Sequence, residues 1–105
     1  MKKLYPCIIG LGYVGLPLFV SLKKKFKLIG YDTDKKRVNQ LKKYIDKNRE
    51  FKRKDLKLNK GTIVTGNHKD IKKSNFYIVT VPTPIKKNKL PDLDYIKSAF
   101  TTIAK

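Results

Sequence analysis

Apolar residues along this chain change their spacing several times, and each change marks an element. Cys7, Ile8 and Ile9 form an unbroken apolar run ended by glycine, the pattern of a strand buried on both faces. From Val14 to about Lys24 the spacing becomes helical: Val14, Leu16, Leu18, Phe19 and Leu22 make a loose stripe, and Lys23, Lys24 and Lys25 suit a helix C-terminus because cations offset its partial negative charge. Lys27 to Asp32 reads as a second strand through Leu28, Ile29 and Tyr31. Asp34 then stands where a side-chain oxygen caps a helix in which Val38, Leu41, Lys42 and Ile45 fall at three-to-four spacing.

From Asp46 to Lys60 the chain is polar and lysine-rich. Phe51, Leu56 and Leu58 are its few anchors, which predicts a loop with at most one helical turn. Gly61 to Thr65 is a short strand, Lys69 to Ser74 a turn or short helix, and Phe76 to Val81 the strongest strand pattern in the chain. Pro82 stops that strand. A segment containing Pro82, Pro84 and Pro91 leads to Asp92, placed to cap a last helix with Leu93, Ile96, Phe100 and Ile103 on one face. Strands alternating with helices imply parallel β-α-β units with right-handed crossovers, so the class is α/β.

With 105 residues, 40% of them hydrophobic, there is material for one domain with a modest core. The 26 basic residues against 8 acidic give a formal charge of +18, which raises the question of a polyanionic partner. The pattern argues against specific nucleic-acid recognition: only Arg37, Arg49 and Arg53 are arginines, the residue favoured for bidentate reading of phosphates and bases, and the lysines are spread along the whole chain. Drift toward lysine, as an AT-rich genome produces, is the reading preferred for the charge, with a selected polyanion-binding surface as its alternative. The single cysteine, Cys7, excludes an internal disulfide and a cysteine-pair metal site, which fits a reducing cytoplasm. Pro6 and the glycines break up the apolar N-terminal stretch, so it lacks the shape of a signal peptide, and no run approaches the roughly 20 apolar residues of a membrane span.

The candidate chemistry begins at Gly10-Leu11-Gly12-Tyr13-Val14-Gly15. Such a glycine run is weak evidence alone, but this one follows a buried strand and opens a helix, and Asp32 lies about 20 residues on at the end of the next strand, the arrangement of a dinucleotide fingerprint. Gly10 permits the tight turn, Gly12 lets the backbone approach a pyrophosphate, and Gly15 lets the helix pack closely on the strand. Amides at the helix N-terminus then face the phosphate charge. Asp32 would accept hydrogen bonds from the adenosine ribose and repel a 2′-phosphate, which favours NAD over NADP, although Lys35, Lys36 and Arg37 stand nearby. The fold expected is a Rossmann-like parallel sheet, incomplete, of about four strands with flanking helices.

Three further stretches make the resemblance specific. Ile9 to Leu18, Gly30-Tyr31-Asp32-Thr33-Asp34 with Lys36-Arg37-Val38, and Tyr77-Ile78-Val79-Thr80-Val81-Pro82-Thr83-Pro84 with Pro91-Asp92-Leu93 run in the same order as in the UDP-glucose/GDP-mannose dehydrogenase family, whose N-terminal NAD-binding domain the chain resembles over nearly its whole length. Asp46 to Glu50 and the Pro-Thr-Pro-Ile stretch are most similar to the branch that oxidises UDP-N-acetylhexosamines. The resemblance implies oxidation of a 6-hydroxymethyl group to a carboxylate in two NAD-dependent steps through a thiohemiacetal on a cysteine. It implies that Gly12, Tyr13, Val14 and Gly15 line the pyrophosphate, Asp32 the ribose, Arg37 the adenosine side, and Thr83 the cofactor after the fourth strand. A strand end beside the point where strand order reverses is also where an open α/β sheet binds ligands.

The resemblance implies no catalytic residue within the chain. Cys7 occupies a core position in the first strand rather than that of the family's nucleophile, and His68 lies in a polar turn without partners for a metal. Full members carry more strands, a long connecting helix and a sugar-nucleotide domain, so the sequence reads as truncated, inactive by itself as a dehydrogenase, and part of a homo-oligomer when full length. Two other readings remain, a stand-alone nucleotide-binding module and a basic polyanion binder, and salt separates them because polyanion binding collapses as salt rises.

Overall fold

The computed structural model describes residues 4–80 and 94–104. In chain order the elements are β1 (Pro6–Ile9), α1 (Gly15–Leu22), β2 (Ile29–Tyr31), α2 (Lys35–Lys42), the single-turn α3 (Arg53–Leu56), β3 (Ile63–Thr65), a 3₁₀ turn (Asp70–Lys73), β4 (Phe76–Val79) and α4 (Asp94–Ala104). The four strands form one parallel sheet in the order β3-β2-β1-β4. The chain steps outward from β1 through β2 to β3 and then returns to the other side of β1, so the strand order reverses between β1 and β4. This is the α/β, Rossmann-like arrangement that the spacing predicts.

Alternation along the strands divides the core into two layers, because successive side chains leave a strand on opposite faces. Ile8, Leu28 and Val64 pack with Leu11, Leu16, Phe19 and Val20 of the first turn and α1, and with Val38 and Leu41 of α2 and Leu56 of α3. Cys7, Ile9, Ile29 and Tyr31 face the other way, onto Ile71 of the 3₁₀ turn and Ala99 of α4. At Gly30 the first layer needs the missing side chain: a Cβ there would come within 2.9 Å of the Phe19 ring, so glycine is what lets α1 lie close on β2.

Two helix boundaries differ from the expectation. Val14 is 67% exposed and stands at the N-cap of α1, so the buried stripe starts at Leu16. α2 ends at Lys42, which leaves Ile45 outside it and 44% exposed. The cause is a Schellman termination: the Ile45 amide donates to the Gln40 carbonyl at 2.8 Å, the Tyr44 amide donates to Leu41 at 3.0 Å, and Tyr44 takes a left-handed conformation with φ 62°. A tyrosine where glycine is usual gives no sequence signal for that stop. Asp34 caps α2 as expected, its carboxylate accepting from the Lys36 and Arg37 amides. The expected cap at Asp92 and the position of Leu93 lie outside the described residues, while Ile96, Phe100 and Ile103 fall within α4, where a last helix is expected.

Candidate functional site

The turn between β1 and α1 sits at the carboxyl end of the sheet, where the strand order reverses. Gly10 has φ +100°, a region closed to most side chains. Its amide donates to the Tyr31 carbonyl at 2.8 Å, and its carbonyl accepts from the Thr80 hydroxyl at 2.7 Å. The Thr80 amide donates to Ile9 at 2.8 Å, so the end of β4 holds the turn from the side. A Cβ on Gly15 would fall on the Gly10 carbonyl oxygen and crowd the Thr80 hydroxyl. A Cβ on Gly12 would meet nothing within 4 Å. Gly10 and Gly15 are therefore required by packing within the turn, while Gly12 keeps open the space in front of it.

Leu11 is clamped through both of its peptide groups. Its amide donates to Asp32 Oδ2 at 2.8 Å, and the other Asp32 oxygen accepts from the Asp34 amide at 2.9 Å. Its carbonyl accepts from Arg37 Nε at 2.8 Å. Arg37 Nη1 then donates to Asp46 Oδ1 at 3.0 Å, in an ion pair whose side chains are 9% and 1% exposed. Asp46 also accepts from the amides of Asn48, Glu50 and Phe51 at 3.1, 2.8 and 3.1 Å. Burial alone would raise the Asp46 carboxyl, but these donors, the Asn48 amide and Arg37 guanidinium foremost, outweigh it and hold the group below its ordinary value.

The front of the turn is free. Among the described residues none accepts from the amides of Gly12, Tyr13 or Val14. Tyr13 and Val14 are 73% and 67% exposed, and α1 begins immediately behind them without an acidic residue in its first turn. Unsatisfied amides and the positive end of a helix dipole attract an anion. Asp32 is half-buried, and each of its carboxylate oxygens keeps a lone pair for a hydroxyl donor. The arrangement can take an anionic group against residues 12–14 and a hydroxyl donor against Asp32.

Gly10, Gly12, Tyr13, Val14, Gly15 and Asp32 thus lie together at the carboxyl end of the sheet. Arg37 adjoins them from beneath, turned inward rather than toward the open face. Thr83 lies outside the described residues. Sequence reasoning passed over Thr80 and Asp46. The signal for Thr80 was a hydroxyl at the carboxyl end of a strand that must cross back beside the glycine turn, and for Asp46 an acid at the start of a lysine-rich segment.

Cys7 is fully buried, and burial pushes its thiol up to about 12. It is expected to stay unlabelled by a thiol reagent at pH 8 in the folded protein and to react once denaturant is added. Rapid labelling of the native chain, read by mass spectrometry, would contradict that burial. His68 is half-buried, and among the described residues no cluster of three metal-ligating side chains occurs. A groove of about 540 Å³ lined by Leu4, Tyr5, Lys25, Phe26, Lys27 and Gly61 lies at the amino ends of the strands, away from the glycine turn. No helix among the described residues is long and apolar enough to cross a membrane.

Comparison with known proteins agrees with this geometry. Residues 5–105 match the profile of the UDP-glucose/GDP-mannose dehydrogenase family, NAD binding domain. A UDP-N-acetyl-D-glucosamine 6-dehydrogenase of Pseudomonas aeruginosa is 42% identical over 105 residues, covering 100% of this chain and 25% of the relative. One from Salmonella typhi is 45% identical over 96 residues, covering 91% and 23%. Among solved structures, a UDP-D-ManNAc dehydrogenase from Pyrococcus horikoshii superposes with TM-score 0.85 at 29% identity, over 96% of this chain and 25% of that one. A GDP-mannose dehydrogenase of Pseudomonas aeruginosa, solved as a ternary complex, does so with TM-score 0.83 at 27% identity, over 95% and 24%. The chain spans about a quarter of the length of these relatives.

Proposed function

The chain belongs to the UDP-glucose/GDP-mannose dehydrogenase family, within its NAD binding domain, and on that ground we propose that it forms the cofactor-holding part of a nucleotide-sugar 6-dehydrogenase that oxidises a UDP-N-acetylhexosamine to the corresponding carboxylate. The observation that carries the cofactor reading is the turn whose Gly12, Tyr13 and Val14 amides stand free at the start of α1 beside the Asp32 carboxylate. Those amides hold the pyrophosphate. Gly10 and Gly15 make the turn possible, Asp32 accepts from the adenosine ribose, Arg37 supports the adenosine side from beneath, and Thr83 completes the cofactor side after β4. NAD bound here supplies a hydride acceptor for the oxidation.

What these residues contribute is binding, orientation and selectivity, because an ionised Asp32 disfavours a 2′-phosphate in the same place. The sugar choice is supported by the names of the Pseudomonas and Salmonella relatives and by the resemblance that Asp46 to Glu50 carry. The groups that react with the sugar come from outside these 105 residues, in a protein assembled as a homo-oligomer in the cytoplasm, without nucleic acid or membrane as a partner.

Calorimetric titration with NAD and NADP tests the cofactor reading. Wild-type protein is expected to prefer NAD by at least about tenfold, and Asp32→Asn to weaken NAD by about tenfold while narrowing the preference, since a charge-assisted hydrogen bond contributes roughly 1.5–3 kcal/mol. Binding that ignores Asp32 and collapses steeply with salt would instead mark a polyanion site.

A further inference from the structure

The residues that hold a glycine-rich turn in shape need not touch what it binds. Gly10 to Gly15 is a segment with unusually free backbone torsions, so a defined geometry has to be imposed from outside it. The Leu11–Gly12 peptide shows how. No cis peptide bond occurs among the described residues, and in a trans peptide the carbonyl and the amide point in opposite directions. Arg37 draws the Leu11 carbonyl inward at 2.8 Å. The Gly12 amide is thereby directed to the opposite side of the peptide plane.

We propose that Asp46, acting through Arg37, is a positioning residue of the dinucleotide site: the buried pair sets the plane of the Leu11–Gly12 peptide and makes cofactor affinity depend on the turn at residues 46–51. The inference rests on the cofactor reading above. Arg37 spans the gap because its planar fork aims Nε at Leu11 and Nη1 at Asp46, a division of labour that a lysine ammonium on a flexible stem does not reproduce. Asp46 is itself fixed, since its second oxygen accepts from the Glu50 and Phe51 amides. With its side chain 1% exposed, Asp46 does not reach the open face itself, and on the side of the glycine turn it meets Arg37.

The test is a double-mutant cycle in the protein expressed from its natural coding sequence, with Arg37→Lys, Asp46→Asn and the pair, each titrated with NAD and with ADP-ribose well below its melting temperature. Each single change is expected to weaken both ligands by roughly tenfold, and the pair by no more than the worse single change, because groups that act as one unit are not additive. Ile71→Ala, in the opposite core layer, loses stability and is expected to leave affinity unchanged, which separates positioning from general destabilisation. If Arg37→Lys weakens binding and Asp46→Asn does not, Arg37 acts on the ligand directly and the proposal falls. It falls equally if neither change moves the affinity while Asp32→Asn does. A wild-type protein that binds neither ligand removes the cofactor reading and this inference together.

Discussion

Replacing Gly15 by alanine is expected to lower the melting temperature by roughly 12–20 °C and to abolish measurable NAD binding. The added methyl would fall on the Gly10 carbonyl oxygen and crowd the Thr80 hydroxyl, so relief requires moving backbone at the end of β1 or breaking the bond that ties the turn to β4. Overpacking against flexible side chains costs about 1–3 kcal/mol, and backbone neighbours place this change at the upper end or beyond. In a domain of this size each kcal/mol corresponds to roughly 4–8 °C. Gly12→Ala is the matched comparison: its methyl enters open space, so melting should stay within about 2 °C of wild type while NAD weakens. Thermal denaturation followed by circular dichroism decides it, and equal melting temperatures for the two variants would show that the turn is looser than its contacts indicate.

The second large effect is expected from Asp46→Ala. Removing one partner of a buried ion pair leaves the other charge uncompensated, at about 3–5 kcal/mol. Here the loss is compounded, because the Asn48, Glu50 and Phe51 amides lose their acceptor along with the Arg37 guanidinium. Arg37→Met should cost less, since the carboxylate keeps those three amides. The pair also has an acid signature. The Asp46 carboxyl lies below its ordinary 3.8 in the folded chain, so its contribution is fully present above that value and is lost as pH falls through the lowered folded one. Urea midpoints of wild type should therefore decline on acidification below about pH 4, with a shallower decline in Asp46→Asn. A ranking in which Arg37→Met is the more destabilised of the two truncations would refute the asymmetry.

How much of this was legible in the sequence follows from the range of the interactions involved. Period-two and period-3.6 patterns are local, and they placed β1, β2, β4 and the first two helices to within a few residues. The polar segment from Asp46 to Lys60, expected to hold at most one helical turn, has just that in Arg53–Leu56. Boundaries set by backbone conformation were not visible, and the left-handed Tyr44 that ends α2 is the plain case. The glycine turn and Asp32 were legible because their chemistry restricts residue type at fixed spacing. The supports were not: the resemblance puts Arg37 on the adenosine side, and only the fold shows Leu11 and Asp46 on either side of its guanidinium. Thr80 meets Gly10 across 70 positions of sequence, a contact no spacing rule encodes.

That last contact also bears on the order in which the molecule comes together. β1 is flanked by β2 on one side and β4 on the other, so the first strand made is paired on both edges only after Phe76–Val79 has arrived. Contacts this distant along the chain are slow to form, because loop closure must be met before they give anything back. During synthesis the segment through β3 would already present β1 with one edge bare and the Gly10 carbonyl without its Thr80 donor. The glycine turn, written first in the chain, is held from both sides only once β4 has docked.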